Sequence, residues 1–300
     1  MKKIFLYIIF LTAANAAVAQ QTPVNENYFM DKYSLAPSYA GNYNPKSVQM
    51  GYRKDWSGIS GGPQTARLAY NDKLPFMKNA GFGGKIIFDR AGIFSQLYAL
   101  ASYSYNITIA GDHNLIFGLS MGAYKNRLNL LDYYNDPGYN LDPALTNNDI
   151  NSKVKFMSDF SAVWQWQGAK AGISFTNITI NDANYKTFDT KYKPLANYQI
   201  HGSYLWAVTD NWDVEPLVII RGGKYILHQF EIASQVTYMK KVHGSLLYRD
   251  GGILGAGAAL TLGGIQIGYN FNFSTAIEMG AYNNHEVSLG FNLAELIKAR

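Results

Sequence analysis

Apolar and polar residues take turns along much of this chain. Ile265, Ile267, Tyr269, Phe271 and Phe273 alternate with Gln266, Gly268, Asn270, Asn272 and Ser274. A repeat of two puts one set of side chains on each face of an extended strand. The pattern returns in Leu97-Ala99-Ala101-Tyr103-Tyr105-Ile107-Ile109, where Ser102, Ser104, Asn106 and Thr108 intervene. It returns again in Leu115-Phe117-Leu119-Met121-Ala123, in Phe230-Ile232-Ser234-Val236-Tyr238 and in Val287-Leu289-Phe291-Leu293. About fourteen segments of this kind can be counted, an even number of the sort that bacterial outer-membrane barrels use. They centre near Met50, Leu68, Ile86, Tyr103, Leu119, Phe160, Ile173, Tyr204, Val218, Ile232, Leu246, Ala258, Tyr269 and Leu289. A soluble sandwich also alternates. These segments, however, reach about 9–15 residues, longer than the common 5–6 and long enough for tilted membrane strands. Glu231 and Asp159 fall on the polar face, where they suit a lumen better than a sandwich core.

The connections sort by parity. Gly111-Asp112-His113, Gln167-Gly168, Thr209-Asp210-Asn211, Lys240-Lys241 and Gly263-Gly264 read as tight turns, and all fall on one end; the turn around Pro75 is slightly longer. Long polar connections near 131–154, 178–197 and 275–285 fall on the other. Short periplasmic turns and long external loops give this alternation. The expectation is an all-β, antiparallel up-and-down transmembrane barrel of about fourteen strands.

Composition agrees with lipid on one face. Charged residues make up 16%, aromatics 15%, with 23 Tyr and 28 Gly; soluble domains carry about 25% charged residues. Lys2 and Lys3, the apolar run from Ile4 to Leu11 and Ala17-Val18-Ala19 form the basic, apolar and cleavage regions of a secretory signal. The run is far short of the roughly 18 residues that span a bilayer as a helix. The expected division is a signal peptide over 1–19, a periplasmic N-terminal segment over 20–46, the barrel over 47–293 and a tail over 294–300. The N-terminal stretch could also tuck into the lumen as a partial plug, and residues 294–298 could form a short helix. There is no Cys, so a lipobox, disulfides and thiolate metal sites are excluded. No clustered basic face points to nucleic acid.

Candidate chemistry is sparse. His201-Gly202-Ser203 and His243-Gly244-Ser245 put His and Ser on one strand face, without the acid and oxyanion hole that hydrolysis needs. His285-Glu286 lacks the second His of a zinc motif. The loop over 132–149 has carboxylates but no calcium-loop spacing. No catalytic, metal or cofactor site is expected. Arg53, Arg67, Lys85 and Arg221 fall on the inward face, where pairing with Asp55, Asp89, Asp213 and Glu215 is expected ahead of a pore or anion-binding role. The five Trp residues sit near strand ends, as interface girdles require.

The stretch from Tyr52 to Thr65, with Tyr52, Arg53, Trp56, Gly58, Gly61, Pro63 and Thr65, resembles the signature of the PorP/SprF family. Ala36-Pro37-Ser38-Tyr39-Ala40-Gly41 resembles a second family element, with Ala36 where Asn is usual. Gly81 to Gly84 with Asp89, Arg90 and Gly92, then Leu115 to Gly122, and finally His285 to Phe291 resemble later blocks. The resemblance covers essentially the whole mature chain. It implies a non-enzymatic outer-membrane component of type IX secretion, acting with the machinery or with a secreted surface protein such as a gliding adhesin. Outer-membrane lipid, machinery proteins and secreted surface proteins are the implied partners. The seven signature residues are the candidate partner-binding set. A porin or solute channel is the competing class.

Overall fold

The computed structural model describes residues 25–129, 149–179, 183–184, 191–192, 196–223, 226–275 and 283–298. The signal-peptide region and the 132–148 part of the loop weighed for calcium lie outside them. Fourteen antiparallel strands close into a barrel. They are β1 (Ser47–Lys54), β2 (Gln64–Lys73), β3 (Ala80–Ala91), β4 (Phe94–Thr108), β5 (His113–Asn129), β6 (Lys155–Trp166) and β7 (Ala169–Thr179), followed by β8 (Asn197–Tyr204), β9 (Trp212–Gly223), β10 (Ile226–Tyr238), β11 (Val242–Arg249), β12 (Ile253–Leu262), β13 (Ile265–Ser274) and β14 (Asn284–Asn292). Each strand pairs with its chain neighbours, and β1 closes the ring on β14, from Ser47 opposite Asn292 to Lys54 opposite His285. Closure leaves no sheet edge and pairs the backbone within the wall, as hydrocarbon requires.

The alternation settles which face is which. Leu68, Ile86, Leu97, Tyr103, Leu119, Phe160, Ile200, Ile232, Leu246, Ile267 and Val287 all point outward and are exposed. A continuous apolar exterior of this extent is untenable in water and natural in lipid. Trp166, Trp206 and Trp212 are exposed at the end with the short turns, and Trp56 is exposed at the other. At the short-turn end Trp164 and Trp166 stack on His113, with ring centroids 5.7 and 5.1 Å away.

Connections at the short-turn end are tight, down to the two residues between Trp166 and Ala169 and between Leu262 and Ile265. The opposite end is mixed. It carries the long connections after β5, β7 and β13, but β3–β4 and β11–β12 turn just as tightly there. After β14, Leu293–Lys298 forms helix α1. Asn292 Oδ1 accepts the backbone N–H groups of Ala294 and Glu295 at 3.1 and 3.2 Å, an N-cap that stops the strand and starts the helix. Leu293 N–H donates to Lys46 O at 2.8 Å, so the helix sits where β1 begins.

Residues 25–43 occupy the lumen. The segment starts at the long-connection end, where Glu26 meets Arg53 and Arg249, and descends to the short-turn end, where Gly41 N–H donates to Asn71 Oδ1 at 2.9 Å. The C-terminal helix lies at the short-turn end, whereas the first described N-terminal residues lie within the lumen. Two 3-10 turns, Lys32–Ser34 and Pro37–Tyr39, keep the segment compact. Tyr28, Tyr33, Ala36, Tyr39 and Ala40 are almost wholly buried. Their partners on the wall are Val163, Leu217, Ile219 and Ala233. The lumen is therefore polar only in part, against the simple expectation of a polar interior. The run Leu217-Val218-Ile219-Ile220 is apolar on both faces because one face meets lipid and the other meets the segment. Each fully buried large side chain contributes about 1.5–3 kcal/mol, which makes the segment part of the folded barrel.

Wall glycines make room for it. A Cβ on Gly118 would lie 2.1 Å from Ser38 N, and one on Gly81 would lie 2.1 Å from Ala40 O. Ser38 is held further by its N–H donating to Ser161 Oγ at 2.9 Å. Glycine within a strand permits this close backbone approach.

Candidate functional site

The signature residues gather at the long-connection rim, at the end of β1 and the start of β2. Tyr52 faces outward, its hydroxyl donating to Gln64 Oε1 at 3.0 Å. Arg53 faces inward and is buried. Residues 55–63 form the connecting turn, closed at its base by Asp55 N–H donating to Pro63 O at 2.8 Å. Within it Ile59 N–H donates to Trp56 O and Gly62 N–H to Ile59 O. Gly61 takes φ +75°, and a Cβ on Gly62 would lie 2.6 Å from Asp55 O. The glycines at 61 and 62 are thus needed for backbone shape and for space. Gly58 is exposed at the tip. Thr65 is buried, its hydroxyl donating to Asp89 Oδ1 at 2.6 Å.

Trp56 is the unusual residue. It has φ +52° and is 42% exposed. A bulky aromatic in the left-handed region costs about 1–3 kcal/mol and persists only where its surroundings over-determine it. Here Trp56 N–H reaches Asn284 Oδ1 at 3.3 Å, and Ser57 N–H donates to Asn283 O at 3.0 Å. A further contact, Gly92 N–H to Gly61 O at 3.3 Å, joins the turn to the next loop on the rim. Trp56 and Ile59 are displayed outward on this braced turn.

Beneath the turn lies a lattice of alternating charges. Arg53 meets Asp55 at 2.7 Å, Glu26 at 2.6 Å and Glu286 at 3.6 Å. Glu286 also meets Arg67 at 2.5 Å. On the other side of the lumen Arg249 reaches Glu26 at 2.8 Å and Glu231 at 2.5 Å, and Arg221 reaches Glu231 at 2.9 Å. Glu26 joins the two halves. Burial opposes its ionisation, yet Arg249 and Arg53 outweigh burial and hold its carboxyl far below the ordinary carboxylate range. Lower in the lumen, Lys32 pairs with Glu215, and Lys85 with Asp159 at 3.1 Å.

Pairing was the expected fate of the inward cations, but most of the partners differ. Only Arg53 and Asp55 pair as the sequence suggested. Asp89 accepts from Thr65, and Glu215 serves Lys32. Register across the barrel, which sequence distance does not report, chooses the partners. Glu26, Glu286 and Arg249 were therefore missed; the one available signal was that Glu286 alternates inward on β14.

The His–Ser pairs have other commitments. His201 Nε2 is hydrogen-bonded to the Tyr39 hydroxyl at 2.9 Å, which fixes the segment to the wall. His243 bridges Thr237 and Thr261 at 3.0 and 2.9 Å. Among the described residues, no group of three or more His, Cys, Asp or Glu side chains is placed to hold a metal ion. A cavity of about 150 Å³ lies in the lumen beside the segment, between Asp31, Arg67, Lys85, Gln199 and Arg221.

No curated protein matches the chain. Among solved structures, the toluene transporter TodX of P. putida is similar at a TM-score of 0.54 and 10% identity, covering 90% of this chain and 94% of that one. The toluene transporter TbuX of Ralstonia pickettii and the CymD monoaromatic hydrocarbon channel each score 0.50 at 10% identity. Each covers 91% of this chain, and the matches span 94% and 93% of the two neighbours. At such identity the likeness is one of fold, an outer-membrane barrel. The family model for type IX secretion system membrane protein PorP/SprF matches residues 17–291, so the chain belongs to the PorP/SprF family of type IX secretion outer-membrane proteins.

Proposed function

We propose that this protein is a non-enzymatic secretion component that receives a machinery protein or a secreted surface protein, such as a gliding adhesin, at the long-connection rim. The observation that carries this is the braced turn 55–63, which displays Trp56 and Ile59 on a backbone held in a strained shape. Trp is the residue most enriched at binding hot spots. A rigid anchor loses little entropy on docking. Family membership supplies the secretion context.

A solute channel is the second reading, favoured by neighbours described as toluene transporters and a hydrocarbon channel. The filled lumen weighs against it. The segment over 25–43 sets buried side chains and ion pairs across the lumen.

The test is capture of the tagged protein from its native envelope in mild detergent, with mass spectrometry of what accompanies it. Type IX machinery or one large surface protein is expected. Trp56→Ala should reduce that recovery at least about tenfold, the scale of a hot-spot anchor, with the barrel folded as before. Undiminished recovery with Trp56→Ala would remove the turn as the docking surface. Recovery of the barrel alone, where a known machinery complex stays intact, would favour the channel.

A further inference from the structure

The lumenal segment and the rim turn meet in one side chain. Arg53 gives Nε and a terminal nitrogen to Asp55, the residue before Trp56, while its other terminal nitrogen holds Glu26. Asp55 in turn closes the base of the turn through its backbone N–H to Pro63. The path from Glu26 through Arg53 and Asp55 to Trp56 is thus made of charged hydrogen bonds and one peptide bond. Glu26 is also clamped from the far wall by Arg249, and its N–H donates to Glu286 Oε2 at 2.9 Å.

We propose that the lumenal segment regulates the turn: with Glu26 seated, Arg53 is fixed where it anchors Asp55 and holds Trp56 in its left-handed conformation. With Glu26 withdrawn, Arg53 is a buried guanidinium facing a Glu286 that has itself lost the Glu26 N–H. Arg53 then turns from the rim toward Glu286, since a buried charge follows its best partner. Asp55 loses its tether and the strained turn relaxes. Coupling of this kind is reciprocal, so disturbing the turn must loosen the end of the segment by the same factor. The functional weight of this device rests on the reading of turn 55–63 as the docking surface. The coupling itself is a property of the barrel alone.

The experiment is hydrogen–deuterium exchange of the full mature chain in phospholipid nanodiscs, with no partner present. Glu26→Gln, which keeps size and removes charge, is expected to speed amide exchange in residues 55–63 by about tenfold, equivalent to about 1.4 kcal/mol. Asp55→Asn at the rim is expected to speed exchange at Glu26 and Asn27 by a similar factor. Lys85→Met breaks a lumenal ion pair off this path and should leave the turn unchanged. Wild-type exchange at 55–63 in a folded Glu26→Gln barrel would overturn the proposal. So would a Lys85→Met barrel whose turn loosens as much. Should Glu26→Gln fail to fold, Asp55→Asn decides alone, and unchanged exchange at Glu26 and Asn27 overturns the coupling. Because no arm involves a partner, this result is independent of the capture experiment that tests the docking reading.

Discussion

Two acidic residues of the lumenal segment have opposite electrostatic roles. Glu26 is held ionised by two guanidinium groups, so its contribution is present above the ordinary Glu range and is lost only as pH falls far below it. Asp31 is buried without an ion pair among the described residues, and burial raises its carboxyl pKa above the ordinary Asp range, with Arg67 and the Ser34 backbone only partly offsetting this. A carboxyl raised in the folded state is least costly below its unfolded pKa and becomes a penalty as pH rises through its folded one. Asp31→Asn should therefore stabilise the folded barrel near neutral pH and lose that advantage on acidification toward the ordinary Asp range. The heat-induced mobility shift of the barrel on gels, followed at several pH values, checks this; a lower midpoint for Asp31→Asn at neutral pH would refute it.

The lumenal segment is the element that most changes the reading of this chain. It has no sheet of its own and is too short for an independent core. It is folded because the wall supplies one, through Val163, Leu217, Ile219 and Ala233 and through glycines where the backbones touch. At Gly118 any side chain would overlap Ser38. Gly118→Val is expected to expel the 37–39 turn while leaving the strands paired, because the outward face and the ladder are untouched. In planar bilayers this variant should conduct where the natural protein does not. Equal, low conductance of the two, with the 37–39 amides still protected from exchange, would show that the segment does not close the barrel.

At the scale of the whole molecule, the barrel is a two-solvent object. Its outward residues answer to lipid and its inward ones to the segment and to one another. Ile232, midway along β10 and exposed, should tolerate apolar exchange but not charge. Ile232→Arg is expected to cost about 2–4 kcal/mol of folding free energy in a bilayer, the depth-dependent penalty at the midplane. Reversible folding into phospholipid vesicles measures it, and a cost near zero would mean that this face does not meet hydrocarbon.

Much of this was legible in the residues themselves. A period of two is a local property, so each strand can be recognised without knowing its neighbours. Fourteen alternating segments and the parity of their turns are enough to imply closure, because an open edge is intolerable in lipid. The Tyr52 to Thr65 signature likewise lies within one hairpin, and its glycines and proline announce a shaped turn. The filling of the lumen was different. Ala36 to Gly41 carries no periodicity that tells a free periplasmic stretch from a seated plug, and Glu26 stands 260 residues from the Glu286 that receives its N–H. Charge partners across a lumen depend on strand register and on the curvature that brings β1 to β14. Those are set only when the ring closes. The sequence by itself determined the wall; the tertiary structure decided what stands inside it, and which cation each carboxylate holds.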